Sequence, residues 1–428
     1  MTTFLLFGSL TLCLILTVPI AVSLGVASLL TALSSGIIRP SFVVTSLTTA
    51  IDSFPLMAVP LFILAGNLMG KGGISERLMK TANVFVGRRT GGLALVTILT
   101  CMFFAAISGS GPATVVAIGS IMVPEMLKKG YSKHFAAGLV ATAGGIGVII
   151  PPSVPMVLFG VSTETSIGAL FIAGFFPGIF IGVSLMILAH YIAKRHGYTG
   201  DATIYTAAEK LSVVLEAKWA LIMPFIILGG IYGGVFTPTE AAGISVIYAV
   251  IVGFFAYKTL SVKDTLIALR DSAATTATAI LVAGTALAFA RILALQQIPQ
   301  LVVQGLLSVS DSMFVITLII NILLLIVGCF MDTGAAILIL APLLLPVAKS
   351  IGLHPVHLGI IMVVNLAIGF VTPPVGINLF MICGIAKMKL EDAAKAAVPW
   401  MLVMLVCLIV ITYVPWLSLF LPRLLGLM

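Results

Sequence analysis

Four short runs rich in glycine, proline and hydroxyl residues interrupt long apolar stretches of this chain. They are Ser108-Gly109-Ser110-Gly111-Pro112, the run Gly144 to Ser153 with its pair Pro151-Pro152, Asp332-Thr333-Gly334, and Gly369 to Pro374 with its pair Pro373-Pro374. Proline lacks a backbone N–H, so two in succession release carbonyl oxygens from a helical ladder. At membrane depth such oxygens persist only where protein, water or an ion satisfies them. Unwound carbonyls with hydroxyls suit a hard monovalent cation such as Na+, and exposed half-helix N-termini suit an anion. The candidate cation ligands are Ser108, Ser110, Gly147, Ile150 and Pro152 in the first half, and Asp332, Thr333, Gly369, Thr372 and Pro374 in the second. Several of these act through backbone carbonyls. Thr114, Ser153 and Asn378 are the candidate substrate contacts. Any single break could be an ordinary kink, and a lone polar residue often bonds a neighbouring helix. Asp332, the one acid at the tip of a predicted membrane hairpin, is either a cation ligand or the cap of the helix after it.

The elements that carry these runs belong in a bilayer. Of 428 residues, 61% are apolar and 8% charged, against roughly a quarter charged in soluble domains. Apolar stretches of about 20 residues, enough to cross the hydrocarbon, recur along the whole length. Met1 to Leu33 carries no charge and reads as a retained first span without a cleavage site. The net charge of +8 comes from short basic loops, which is the positive-inside bias and not a nucleic-acid surface. Cys13, Cys101, Cys329, Cys383 and Cys407 all lie in apolar stretches and read as packing residues.

Basic clusters at Lys71 to Arg89, Lys128 to Lys133, Lys194 to Lys218, Lys258 to Arg270 and Lys387 to Lys395 mark the cytoplasmic side. The stretches Ser162 to Ser166, Thr237 to Glu240 and Gln296 to Ser312 between them are nearly uncharged. The first two basic clusters flank a single interrupted stretch. It therefore reads as a re-entrant hairpin over 91–127, with a broken helix over 135–160 behind it. A second hairpin over 313–349 and a broken helix over 357–385 enter from the opposite face. An offset of 222 pairs Pro124 with Pro346, Gly130 with Gly352, Gly147 with Gly369, Pro151 with Pro373, Pro152 with Pro374 and Pro177 with Pro399. Two halves inverted in the membrane, with a site at midplane, are typical of secondary transporters.

Catalytic readings find no support. Gly109-Ser110-Gly111 lacks the outer glycine spacing of a nucleophile elbow, the five histidines fall at loops or span ends, and there is no Walker A sequence. A channel would need a ring of carbonyls or charges that this pattern does not supply.

Together, Ser-Gly-Ser-Gly-Pro-Ala-Thr, Gly-Gly-Ile-Gly-Val-Ile-Ile-Pro-Pro-Ser, Met-Asp-Thr-Gly-Ala-Ala-Ile and Val-Thr-Pro-Pro-Val-Gly-Ile-Asn carry a resemblance. With the run Pro60 to Met69, the chain resembles the large membrane subunit of tripartite ATP-independent periplasmic (TRAP) transporters, within the ion transporter superfamily. That resemblance implies Na+ coupling, with sodium as coupling ion and no other cofactor. It also implies a periplasmic substrate-binding protein and a small four-helix membrane subunit, which is expected as a separate chain. The stand-alone divalent-anion symporters carry Ser-Asn-Thr at the hairpin tips, where this chain has Ser-Gly-Ser and Asp-Thr-Gly. The expected substrate is a small organic anion, of the sialic acid or C4-dicarboxylate type, taken across a bacterial inner membrane.

The expected architecture is an all-α polytopic membrane protein. It comprises N-terminal scaffold spans at 1–70, a first repeat core at 71–193, linking arms and scaffold spans at 194–272, and a second repeat core at 273–428. Relatives of this kind move an elevator-like transport domain against a scaffold. The charged stretches Lys194 to Lys218 and Lys258 to Arg270 could lie on the membrane surface as connecting arms.

Overall fold

The computed structural model describes residues 2–35, 39–200, 205–310 and 312–428, and every regular element among them is helical. Residues 201–204 of the first charged linker and 311 of the uncharged stretch 296–312 lie outside the described residues. The apolar start folds as two packed helices, α1 (Thr2–Ile15) and α2 (Ile20–Ser35). At 1.5 Å per residue they reach only about 21–24 Å, short of the hydrocarbon thickness. Phe4 to Leu33, too long for one upright span and too short for two full ones, is thus a helical hairpin. Thr17, at φ +59°, and Pro19 lie at the turn.

The first half continues through α3 (Pro40–Ile51), a 3-10 turn at Phe54–Met57, α4 (Ala58–Lys71), α5 (Ile74–Val86), α6 (Gly92–Ser108), α7 (Gly111–Lys128), α8 (Lys133–Gly144), α9 (Val154–Thr163) and α10 (Ile167–His196). A bent pair follows, α11 (Ala207–Glu216) and α12 (Lys218–Tyr232), then α13 (Pro238–Ile251) and α14 (Val262–Leu295). The rest is α15 (Ile298–Val309), α16 (Met313–Phe330), α17 (Thr333–Ser350), α18 (Pro355–Gly369), α19 (Ile377–Ala386), α20 (Leu390–Tyr413) and α21 (Trp416–Leu424). Among the described residues, seven helical segments are long and apolar enough to cross a membrane, and the bent pair makes an eighth. Large apolar side chains such as Phe225, Phe255 and Ile187 stand outward, as a surface facing lipid requires.

Helices of the two halves keep one offset. α7 and α17 begin at 111 and 333 and end at 128 and 350, 222 residues apart at both ends. α8 and α18 begin at 133 and 355, and α3 and α14 at 40 and 262, at the same separation. Gly130 and Gly352 both hold the left-handed backbone, at φ +81° and +76°, that turns the chain after α7 and α17. The offset therefore extends beyond the repeat cores read from sequence. α3, the 3-10 turn and α4 stand where α14 runs unbroken, because Pro55 starts a 3-10 turn in the first half only.

One expectation about the arms needs correction. Lys258 to Arg270 is no separate surface helix; from Val262 it is the start of the 34-residue α14. The short amphipathic helices leading into the hairpins are α5 and α15. α5 buries Ile74, Leu78 and Ala82 and exposes Glu76 and Lys80. The root of α5 is tied to the segment before α14, where Thr259 Oγ1 donates to Gly72 O at 2.7 Å and Arg77 lies 3.7 Å above the Tyr257 ring. α11 buries no residue and leaves Leu211 and Leu215 outward.

α13 opens on a capping box, in which Glu240 accepts from Thr237 N at 2.8 Å and from its Oγ1 at 2.9 Å. Thr237→Ala should lower the melting midpoint by no more than about 2 °C at neutral pH.

Candidate functional site

In the first half, α6 ends at Ser108, Gly109 turns the chain at φ +61°, and Ser110 caps α7 by accepting from Ala113 N at 3.4 Å. Thr114 Oγ1 donates to Ser110 O at 2.8 Å and lies 3.2 Å from Ser108 Oγ. The break after α8 closes on this tip. A Cβ on Gly147 would stand 2.5 Å from Thr114 Oγ1 and 2.6 Å from Ser110 O, and one on Gly109 would stand 2.7 Å from Pro152 O. Val154 N also donates to Gly109 O at 3.3 Å. Ser108, Ser110, Thr114, Gly147 and Pro152 therefore converge in one small, buried volume of hydroxyl and carbonyl oxygens.

Two first-half expectations shift in detail. Ile150 turns its side chain onto Gly178 of α10, so only its backbone is available to a ligand. Ser153 is fully buried; its Oγ donates to Val148 O at 2.6 Å and accepts from Met156 N, capping α9. Its hydroxyl is therefore engaged by the backbone.

The second half is arranged differently. Asp332 is exposed at the tip and caps α17, accepting from Gly334 N at 2.9 Å, while Thr333 is buried. Gly369 meets α16 and not this tip, since a Cβ there would stand 2.4 Å from Gly328 O. Beside it Val375 N donates to Cys329 O at 3.1 Å, and Thr372 Oγ1 donates to Ile368 O at 2.8 Å. Pro373 and Pro374 are exposed, whereas Pro151 and Pro152 are buried; both pairs are joined by cis bonds. Asn378 is buried, with its Nδ2 on Ala141 O at 2.9 Å, so it ties α19 to α8. Gly328, Cys329 and Phe370 went unnoticed in the sequence because they lie outside the offset pairs, and Gly328 and Cys329 take part through the backbone.

The halves cross over. α9 of the first half packs on α17, and α19 of the second packs on α7. Each hairpin tip consequently faces the other half's broken helix. A Cβ on Gly111 would meet the Phe370 ring at 2.9 Å, and one on Gly334 would meet Leu158 Cδ1 at 3.1 Å. Outside the hairpins, α4 reaches the first tip, where a Cβ on Gly66 would stand 3.1 Å from Ser108 Cα. α7, α9, α17 and α19 all begin at these loops, so the positive ends of four helices flank them. Among the described residues no group of His, Cys, Asp or Glu gathers as for a transition metal.

Apolar helices, broken in pairs at loops of hydroxyl and carbonyl oxygens, make this a polytopic membrane protein. Residues 7–417 match the family described as tripartite ATP-independent periplasmic transporter, DctM component, and the chain belongs to that family. It is a multi-pass inner membrane protein. It is 48% identical to an isethionate TRAP transporter permease of Oleidesulfovibrio alaskensis over 97% of its own length, and spans 65% of the length of that protein. It is 41% identical to the C4-dicarboxylate TRAP transporter large permease of Vibrio cholerae, covering 96% of this chain and 95% of the relative. With the sialic acid large permease of Vibrio cholerae it shares 37% identity, covering 95% of each. Two solved transporters share its fold alone. The Alcanivorax borkumensis YdaH transporter matches with TM-score 0.57 at 16% identity, covering 89% of each chain. MtrF of Neisseria gonorrhoeae, an antimetabolite efflux pump, matches with TM-score 0.59 at 14% identity, covering 86% of this chain and 83% of its own.

Proposed function

We propose that this permease imports a small organic anion, a carboxylate or a sulfonate, driven by an inward Na+ gradient. The substrate is delivered by a periplasmic binding protein, and a small four-helix membrane subunit completes the assembly. Sodium ions are coupling ions, no other cofactor takes part, and the chain carries out no catalysis. The observation that carries the reading is the convergence of Ser108, Ser110, Thr114 and Gly147 at the first tip. Oxygens held this closely, with no cluster of acids among the described residues, suit a monovalent cation. The four helix N-termini favour an anion beside it.

An elevator motion of inverted halves fits the packing. α1 to α4 and α12 to α14 pack largely on one another, and α5 and α15 lead from them into the hairpins. In this reading the scaffold takes in the whole of α14, beyond residue 272. The start of α1 lies on the periplasmic side, since Thr3 Oγ1 is 3.5 Å from Gln296 Oε1, at the end of α14 away from Lys263 and Arg270.

Uptake of labelled isethionate, succinate and sialic acid should be measured in proteoliposomes holding this chain and its small subunit. One of them should accumulate only when both the binding protein and an inward Na+ gradient are supplied. Accumulation that needs neither would overturn the tripartite, sodium-coupled reading in favour of a stand-alone carrier.

A further inference from the structure

Away from the loops, α16, α18 and α20 share a string of buried polar side chains. Asn365 Nδ2 donates to Asn321 O and to Asn321 Oδ1, both at 3.0 Å. Asn321 Nδ2 donates to Thr412 Oγ1 at 3.1 Å, and His357 Nε2 lies 3.1 Å from Thr412 O. All four residues are buried.

The string lies on the same helix faces as the second break. Asn321 and Gly328 are two turns apart on α16, and Asn365 and Gly369 are one turn apart on α18, where the two glycines abut. A helical Cβ tilts toward the helix start, so Asn365 leans away from Gly369 and toward Asn321. Asn365 therefore acts on the break through α16 and not as a ligand in it.

The first half has no such string. Counting back 222 residues from Asn321, Asn365 and Thr412 gives Leu99, Ala143 and His190. There the hairpin arms α6 and α7 pack along each other. In the second half α16 lies along α18, while α17 packs on α14, α9, α15 and α18. Touched only lightly by its own arm α17, α16 depends for its position on its seam with α18 and on its bonds to the end of α20.

We propose that Asn321, Asn365 and Thr412 are positioning residues that clamp α16 onto α18 and α20 and so set the oxygen spacing at the Gly328–Gly369 contact for a bound cation. The inference rests on the sodium reading given above. Its test is the half-saturating Na+ concentration for uptake, compared with the substrate KM at saturating Na+. N321A, N365A and T412V should each raise the former roughly 3- to 20-fold, the span of interhelical hydrogen bonds in membranes. KM should stay near the wild-type value, and T412S, which keeps the hydroxyl, should behave as wild type. The N321A/N365A double variant should lose less than the two single effects combined, since the bond from Asn365 Nδ2 to Asn321 Oδ1 is removed by both. Unchanged Na+ half-saturation in the three variants, or losses that add in the double, would overturn the clamp. For variants that yield too little protein, T412V against T412S decides, read as the Na+-dependent shift in melting of the purified protein. A wild-type protein with no Na+ response would sink the sodium reading and the clamp with it; a wild-type response that the variants leave unchanged would sink the clamp alone.

Discussion

Gly369→Ala is expected to reduce initial uptake by roughly ten- to a hundredfold, and Gly147→Ala by a similar amount. The added methyl at 369 would stand 2.4 Å from Gly328 O and 2.7 Å from Gly328 C, both backbone atoms that no rotamer change can move aside. At 147 it would stand 2.6 Å from Ser110 O and 2.5 Å from Thr114 Oγ1. Relieving such contacts in a packed interior costs about 1–3 kcal/mol and shifts backbone, which here displaces the oxygens proposed to hold the cation. The loss should therefore appear first as a raised half-saturating Na+ concentration, with the purified protein still folded. Gly130→Ala, at a glycine with open space around it but a positive φ, controls for backbone strain without crowding. Full uptake by both crowded variants would remove these two positions from the site.

Asp332 offers the second large effect. The residue keeps exposed surface at the second tip, and one of its carboxylate oxygens caps α17 through Gly334 N. Both roles read from the sequence thus remain open to the same side chain, and substitution separates them. Serine and asparagine both serve well as N-caps, so a residue needed only for capping should tolerate Asp332→Ser and Asp332→Asn. A carboxylate that serves the cation or the substrate path should not. Because charge within a membrane protein is costly and retained for function, both variants are expected to lose at least about tenfold in uptake, with an unchanged melting midpoint. Uptake near wild type in both, measured across a Na+ series, would reduce Asp332 to a cap.

Much of the fold was legible in the residues because a bilayer makes strong demands on composition. Apolar stretches, basic loops and paired breaks are conspicuous in a sequence with so few charges. Even Gly147 and Gly369 could be paired by counting, and each proved to be a point where one backbone presses on another. The apolar run from Phe4 to Leu33 was less legible, since composition alone does not separate one tilted span from two short packed helices. The arms were misplaced for a related reason: the basic residues of Lys258 to Arg270 could sit on a surface helix or at the end of a span. Only the packing of α14 on α2, α3 and α4 distinguishes the two.

The residues by themselves determined the solvent, the helices and the breaks, since each follows from local chemistry repeated along the chain. The tertiary structure alone decided which break meets which tip. Contacts between α7 and α19, or between α9 and α17, join segments far apart in sequence, and nothing in either segment names its partner. It also decided that Asn378 and Ser153 are buried in internal hydrogen bonds, while Asp332 stands open. Burial is a property of the neighbours a side chain acquires, and those neighbours come from the other half of the chain.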